Sequence, residues 1–142
     1  MLRTIRAQIQ CDDTGFTLIE ILVIVLIIGI MVAIALPAWV GQRSKSDDST
    51  AKSDARNFAS QVDACFSGTH DYRKCDPPQN TGLTVGSGDG EVEVTDATKD
   101  TYTVVAHSKS GNDFAITKTS TGHVRRTCET RGKGSCSAAG TW

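Results

Sequence analysis

None of the five cysteines stands in a C-x-x-C pair, and His70 sits alone between Cys65 and Cys75. Structural zinc sites are built from close ligand pairs, so no metal centre is expected. His70, His107 and His123 are isolated in sequence. No nucleophile has a base and an orienting group in a recognisable pattern, so no catalytic residue is expected and the histidines read as surface groups. Gly86-Ser87-Gly88-Asp89-Gly90 is followed by neither Lys-Ser/Thr nor a helical pattern, which excludes a phosphate loop. Asp96 and Asp100 beside that turn do not keep EF-hand spacing. The net charge is −1, too small for bulk attraction to nucleic acid or to acidic membranes. No Asn-x-Ser/Thr sequon occurs. No cofactor is expected.

What the chain does have is one long apolar run. Phe16–Val40 carries a single charge, Glu20, and is unbroken from Ile21 to Leu36. About 20 apolar residues cross a bilayer as a helix. Trp39 stands at the far end, where aromatic side chains favour the interface. A carboxylate inside such a segment costs roughly 2.5–3.5 kcal/mol at the helix centre, so Glu20 is a functional residue by default. An alternative is a cleaved signal peptide, with Arg3 and Arg6 as n-region, Ile21–Val32 as apolar core and Ala33-Ile34-Ala35 as cleavage site. It would need a long n-region holding Asp12, Asp13 and Glu20, and it leaves Gly15-Phe16 unexplained.

Gly15-Phe16-Thr17-Leu18-Ile19-Glu20, the apolar helix behind it, Gly29 and Pro37 resemble the precursor junction of the type IV pilin superfamily. The resemblance covers Met1 to about Phe66. That superfamily includes pilins, the pseudopilins of type II secretion and competence pseudopilins. It implies that a prepilin peptidase removes residues 1–15 by cutting between Gly15 and Phe16, and that the new Phe16 amine is methylated. It implies a membrane and filament-core helix over 16–40 and an extracellular head over 41–142. The partners implied are identical or related subunits in a helical homopolymer, the membrane, the peptidase and a pilus assembly platform. The function implied is a structural filament subunit. The alternatives are a pseudopilin of a type II secretion or DNA-uptake machine, or a minor subunit that binds DNA or a surface. A calcium loop around Asp89, Asp96 and Asp100 stays open as a secondary reading.

Glu20 has two roles to choose from, which can coexist. Thr17-Leu18-Ile19-Glu20 matches a capping box ahead of an apolar run. The resemblance implies a second role, in which Glu20 of one subunit pairs with the Phe16 amine of its neighbour, each group neutralising the other in a dry core. Gly29 weakens a helix and Pro37 removes a backbone donor. The resemblance places extensibility between them. If the leader is removed, Cys11 goes with it and Cys65, Cys75, Cys128 and Cys136 remain. Four cysteines allow three pairings. Local spacing favours Cys65–Cys75 and Cys128–Cys136, and disulfides imply an oxidising compartment. Basic residues flank both ends of the span, Arg3 and Arg6 on one side and Arg43, Lys45 and Lys52 on the other. By charge the positive-inside rule leans against an outside head. The cysteines and the resemblance place it outside.

Gly41–Thr50 is polar and without proline, and is expected to continue the helix. Ala51, Ala55, Phe58, Ala59, Val62 and Phe66 recur at three- and four-residue spacings. One helix from Phe16 to about Phe66 is therefore expected, with an amphipathic second half. Gly68–Gln79 reads as a loop ended by Pro77-Pro78. Strand candidates follow at Leu83–Val85, Glu91–Thr95, Thr101–His107, Phe114–Lys118 and His123–Cys128, the last a candidate edge, with turn signals at Gly88-Asp89-Gly90, Ser110-Gly111-Asn112 and Thr121-Gly122. The fold class expected is α+β, a long N-terminal helix on an antiparallel sheet of three or four strands. Arg125, Arg126, Arg131 and Lys133 form the basic cluster of the head. It reads as a solvated face balanced by Glu129, or as a DNA or surface contact that lacks stacking aromatics apart from Trp142.

Overall fold

The structure is a computed structural model that describes residues 15–76, 78 and 81–142. The leader residues singled out above, Arg3, Arg6, Cys11, Asp12 and Asp13, lie outside the described residues, as do Pro77 and Gln79 of the Gly68–Gln79 loop.

Helix α1 runs over Leu18–Thr69, 52 residues. It begins two residues later than Phe16 because Thr17 takes the cap. The Thr17 carbonyl accepts the Glu20 and Ile21 amides at 3.0 and 3.3 Å, and its hydroxyl accepts the Glu20 amide at 3.3 Å. It ends beyond Phe66 because the next turn still closes. The His70 amide donates to the Phe66 carbonyl at 2.7 Å, and His70 then turns left-handed (φ 53°), the conformation that stops a helix. Pro37 lies inside α1 without interrupting it. It has no N–H, so the Ala33 carbonyl lacks its helical donor.

The chain divides after Pro37 into two compact units. In the first, Leu18–Pro37 is about 30 Å of helix at 1.5 Å per residue, the thickness of a bilayer core. Its large apolar side chains are all exposed. The helix is long and apolar enough to cross a membrane.

In the second unit, β1 (Val92–Ala97), β2 (Tyr102–His107), β3 (Asp113–Lys118) and β4 (Val124–Cys128) form an antiparallel meander in the order β1-β2-β3-β4. Each strand joins its neighbour through a short turn, so sequence order becomes spatial order. Side chains alternate across the sheet. Val92, Tyr102, Val104, Ala106, Phe114, Ile116 and Cys128 point inward and are buried. They form one core with Ala51, Ala55, Phe58, Ala59 and Val62 of α1, and Phe66 packs at its margin. The three alanines, four residues apart, let that face of the helix lie close to the strands.

Leu83–Val85 is not a strand. It makes an isolated parallel bridge from Val85 to Val92. Gly82 and Gly86 on either side take positive φ, so no extended run fits between them. The Gly68–Gln79 region holds the end of α1 and a 3-10 turn, Tyr72–Lys74, rather than loop alone. The turn places Tyr72 against Phe66 (centroids 4.1 Å apart) and Tyr102 (4.8 Å). Disulfides join Cys65 to Cys75 and Cys128 to Cys136. Each closes a short loop at the rim of the core and limits the unfolded chain more than the folded one.

Candidate functional site

The Gly15–Phe16 peptide lies in the non-helical stretch before α1. Gly15 is exposed, and no atom would meet a Cβ placed there. A protease that needs an extended segment meets no helix to unwind at this bond. The S/T-x-x-E signature is only half used. The Thr17 hydroxyl caps the Glu20 amide, but among the described residues no hydrogen bond or ion pair engages the Glu20 carboxylate. Capping therefore rests on Thr17, and the carboxylate stands exposed at the start of an apolar helix with its charge unspent. Gly29 has open space around its Cα and lies in unbroken helix, as Pro37 does.

The head is fastened by two carboxylates on α1. Asp48 is fully buried. It accepts from the Ser108 hydroxyl (2.9 Å), the Asn112 side-chain amide (2.9 Å), the Ser135 backbone amide (2.7 Å) and the Ser110 hydroxyl. Burial works to raise its pKa, but these donors prevail and hold it below the usual carboxylate range. One side chain thus ties α1 to the β2–β3 turn and to the Cys128–Cys136 loop. Gly134, at φ +57°, leaves the room this packing needs, because a Cβ there would collide with Asp48 and Asn112. Lys52, one turn on, donates to the Ser135 carbonyl at 2.6 Å and lies over the Phe114 ring, and burial lowers its pKa. Asp63 accepts from the Tyr72 hydroxyl (2.8 Å), the Tyr102 hydroxyl (3.3 Å) and the Lys118 ammonium (2.8 Å). Asp48 escaped the sequence reading, although it stands three residues before Ala51 on the same helical stripe.

The four basic residues do not form one surface. Arg125 and Arg126 point to opposite faces of β4 by strand alternation. Arg126 lies over the Trp142 ring at 5.7 Å, and Arg56 lies over the same ring at 5.1 Å. The Trp142 indole donates to the Thr127 carbonyl at 2.8 Å and meets Phe114 edge-on. Arg131 packs beside Gly140, and the Lys133 carbonyl accepts from Asn112 at 3.4 Å. Part of the cluster is therefore structural. On the outer sheet face, His107 bridges Asp113 (2.8 Å) and Glu93 (3.4 Å). Its burial works to lower its pKa, and the two carboxylates outweigh that and raise it. Among the described residues no three histidine, cysteine or acidic side chains are grouped to hold a metal ion. Asp89, Asp96 and Asp100 are therefore not gathered into a calcium site.

Residues 12–36 match a family described as the prokaryotic N-terminal methylation motif. A type II secretion system core protein G of Escherichia coli (strain K12) is 35% identical over 69 residues, 49% of this chain and 45% of that protein. Its counterpart in Dickeya chrysanthemi is 39% identical over 49 residues, 34% of this chain and 32% of that protein. The chain thus matches less than half the length of these two relatives. A fimbrial protein of Pseudomonas aeruginosa is 28% identical over 111 residues, 72% of each chain. No solved structure matches the chain with comparable significance.

Proposed function

The chain belongs to the type IV pilin superfamily, and on that premise we propose that it is a structural subunit of a type IV pilus-like filament rather than an enzyme. The observation that carries the reading is the coincidence at the junction. The methylation motif overlies a glycine–phenylalanine bond outside the helix, followed, among the described residues, by a carboxylate with no partner and an apolar helix that nothing covers. In this reading a prepilin peptidase releases residues 1–15, and the chain waits in the plasma membrane through residues 16–40 with its head outside. Subunits then stack their apolar helices, and Glu20 meets the methylated Phe16 amine of a neighbour. Two charges that are each costly in an apolar core cancel there, which favours correctly staggered subunits. Gly29 and Pro37 supply the weak stretch of helix along which such a core would yield under tension.

A second reading has its own support. The matches to secretion core protein G of two organisms favour a pseudopilin of a secretion machine, whose filament stays short. A DNA- or surface-binding minor subunit draws less support, because Arg126 is already stacked on Trp142. Intact-mass measurement on sheared surface filaments and on membranes separates these. Abundant chain beginning at methylated Phe16 in the sheared fraction is the expected result and means an external filament. The same species confined to membranes means a pseudopilin or minor subunit. A chain beginning at Leu36 would mean a secreted protein and end the reading.

A further inference from the structure

The sheet is an open meander whose outer edges are bridged only at Val92 (by Val85) and at Thr127 (by Thr141), so among the described residues 94–97 of β1 and 124–126 of β4 have no strand outside them. Charge is divided between these edges. Val85–Asp100, along the β1 side, holds five carboxylates against Lys99 alone. His123–Lys133, along the β4 side, holds three arginines and a lysine against Glu129. The register sharpens this division. Asp96 pairs with Thr103, Thr103 with Thr117, and Thr117 with Arg125. One row of the sheet therefore starts at a carboxylate and ends at a guanidinium. The Thr103 and Thr117 hydroxyls, 3.2 Å apart, fill its middle.

Asp96 and Arg125 are both exposed. Three strand spacings, about 14 Å, separate them, too far for an ion pair within one molecule. Among the described residues neither forms one. Their neighbours are already engaged: Arg126 on Trp142, and Glu91 with the Gly88 amide at 2.9 Å. The next row has apolar ends. It runs from Ala97 through Tyr102 and Lys118 to Val124, which is 52% exposed.

We infer that the β4 edge of one copy docks on the β1 edge of the next, with Arg125 meeting Asp96 and Val124 covering Ala97. The inference rests on the filament reading above and names the head surfaces that meet within it. The two edges differ, so the contact is heterologous and propagates instead of closing into a pair. Like edges repel, which rules against β1–β1 and β4–β4 pairing and fixes the direction of addition.

The test uses the full chain in producing cells. Asp96→Cys and Arg125→Cys are combined in one chain, and sheared filaments are oxidised and run on a non-reducing gel. A ladder of dimers, trimers and longer species is expected, and each single-cysteine variant should lack it. Filaments that yield only monomer overturn the inference while leaving the filament reading intact. Absence of filaments from the unaltered chain sinks the filament reading instead. Charge exchange decides the matter if the double-cysteine chain fails to assemble. Arg125→Glu and Asp96→Arg are each expected to lower filament yield at least threefold, and the two together to restore it. Failure of the pair to recover, with the head melting normally, overturns the inference.

Discussion

Phe58 is fully buried, while Phe16 just ahead of the same helix is 71% exposed. The two lie in regions that treat apolar surface in opposite ways. From Ala51 to Phe66 the apolar residues occupy one stripe, and the sheet covers it. From Leu18 to Val40 they occupy every side of the helix, and no part of the described chain covers them. A large aliphatic side chain left in water forgoes roughly 1.5–3 kcal/mol of burial, so over some twenty residues the first region is untenable alone in water. The head closes its own core and fastens it with Asp48, Asp63 and two disulfides. The apolar region has no cover among the described residues, and in the filament proposed above other copies supply it.

That contrast can be broken from either side. Glu20→Gln removes the one charge of the apolar region. Filament yield is expected to fall roughly tenfold or more, the equivalent of about 1.4 kcal/mol, with the thermal midpoint of the head unchanged. A normal yield would remove Glu20 from assembly. Asp48→Ala does the reverse and strikes the head. Four donors lose a buried charged acceptor, and a loss of about 3 kcal/mol is expected in chemical denaturation of the detergent-solubilised chain. A change below about 1 kcal/mol would mean that water replaces the carboxylate and that the fastening is weak. Replacing Cys65 and Cys75 together by serine should cost about 2–3 kcal/mol in the same assay, since the closed loop is short. The smallest effect concerns pH. His107 has a raised pKa in the folded head, so its stabilising contribution is complete below about 6.5, its ordinary value, and disappears as pH rises through the folded value. Under about 1 kcal/mol is expected, because the ion pairs are partly exposed. Melting the unaltered chain and His107→Gln between pH 6 and 8 checks it. Equal slopes for both would remove His107 as the source.

Local patterns made much of this legible in advance. The apolar run, the stripe from Ala51 and the alternation in Tyr102–His107 each reflect a periodicity set by the neighbouring few residues. The turns at Gly111 and Gly122 were legible as glycine signals, whereas the β1–β2 turn, Thr98–Thr101, holds no glycine. Leu83–Val85 misled because three apolar-flanked residues look extended whatever Gly82 and Gly86 do around them. Asp48 was invisible for a different reason. Its donors come from 60 to 87 residues away along the chain, and a carboxylate on a helix is ordinarily solvated. The division of Arg125 from Arg126 is the opposite case. Adjacent positions in a strand face opposite ways, so adjacency in sequence meant separation in space.

Ser135 reaches Asp48 from inside the loop that Cys128 and Cys136 close. The amide is held at that place by a covalent bond which forms only in an oxidising compartment. The grip of Asp48 on this loop and the covalent closure of the loop thus act on the same few residues, so the redox state of Cys128 and Cys136 bears on how α1 is held as well as on the loop itself.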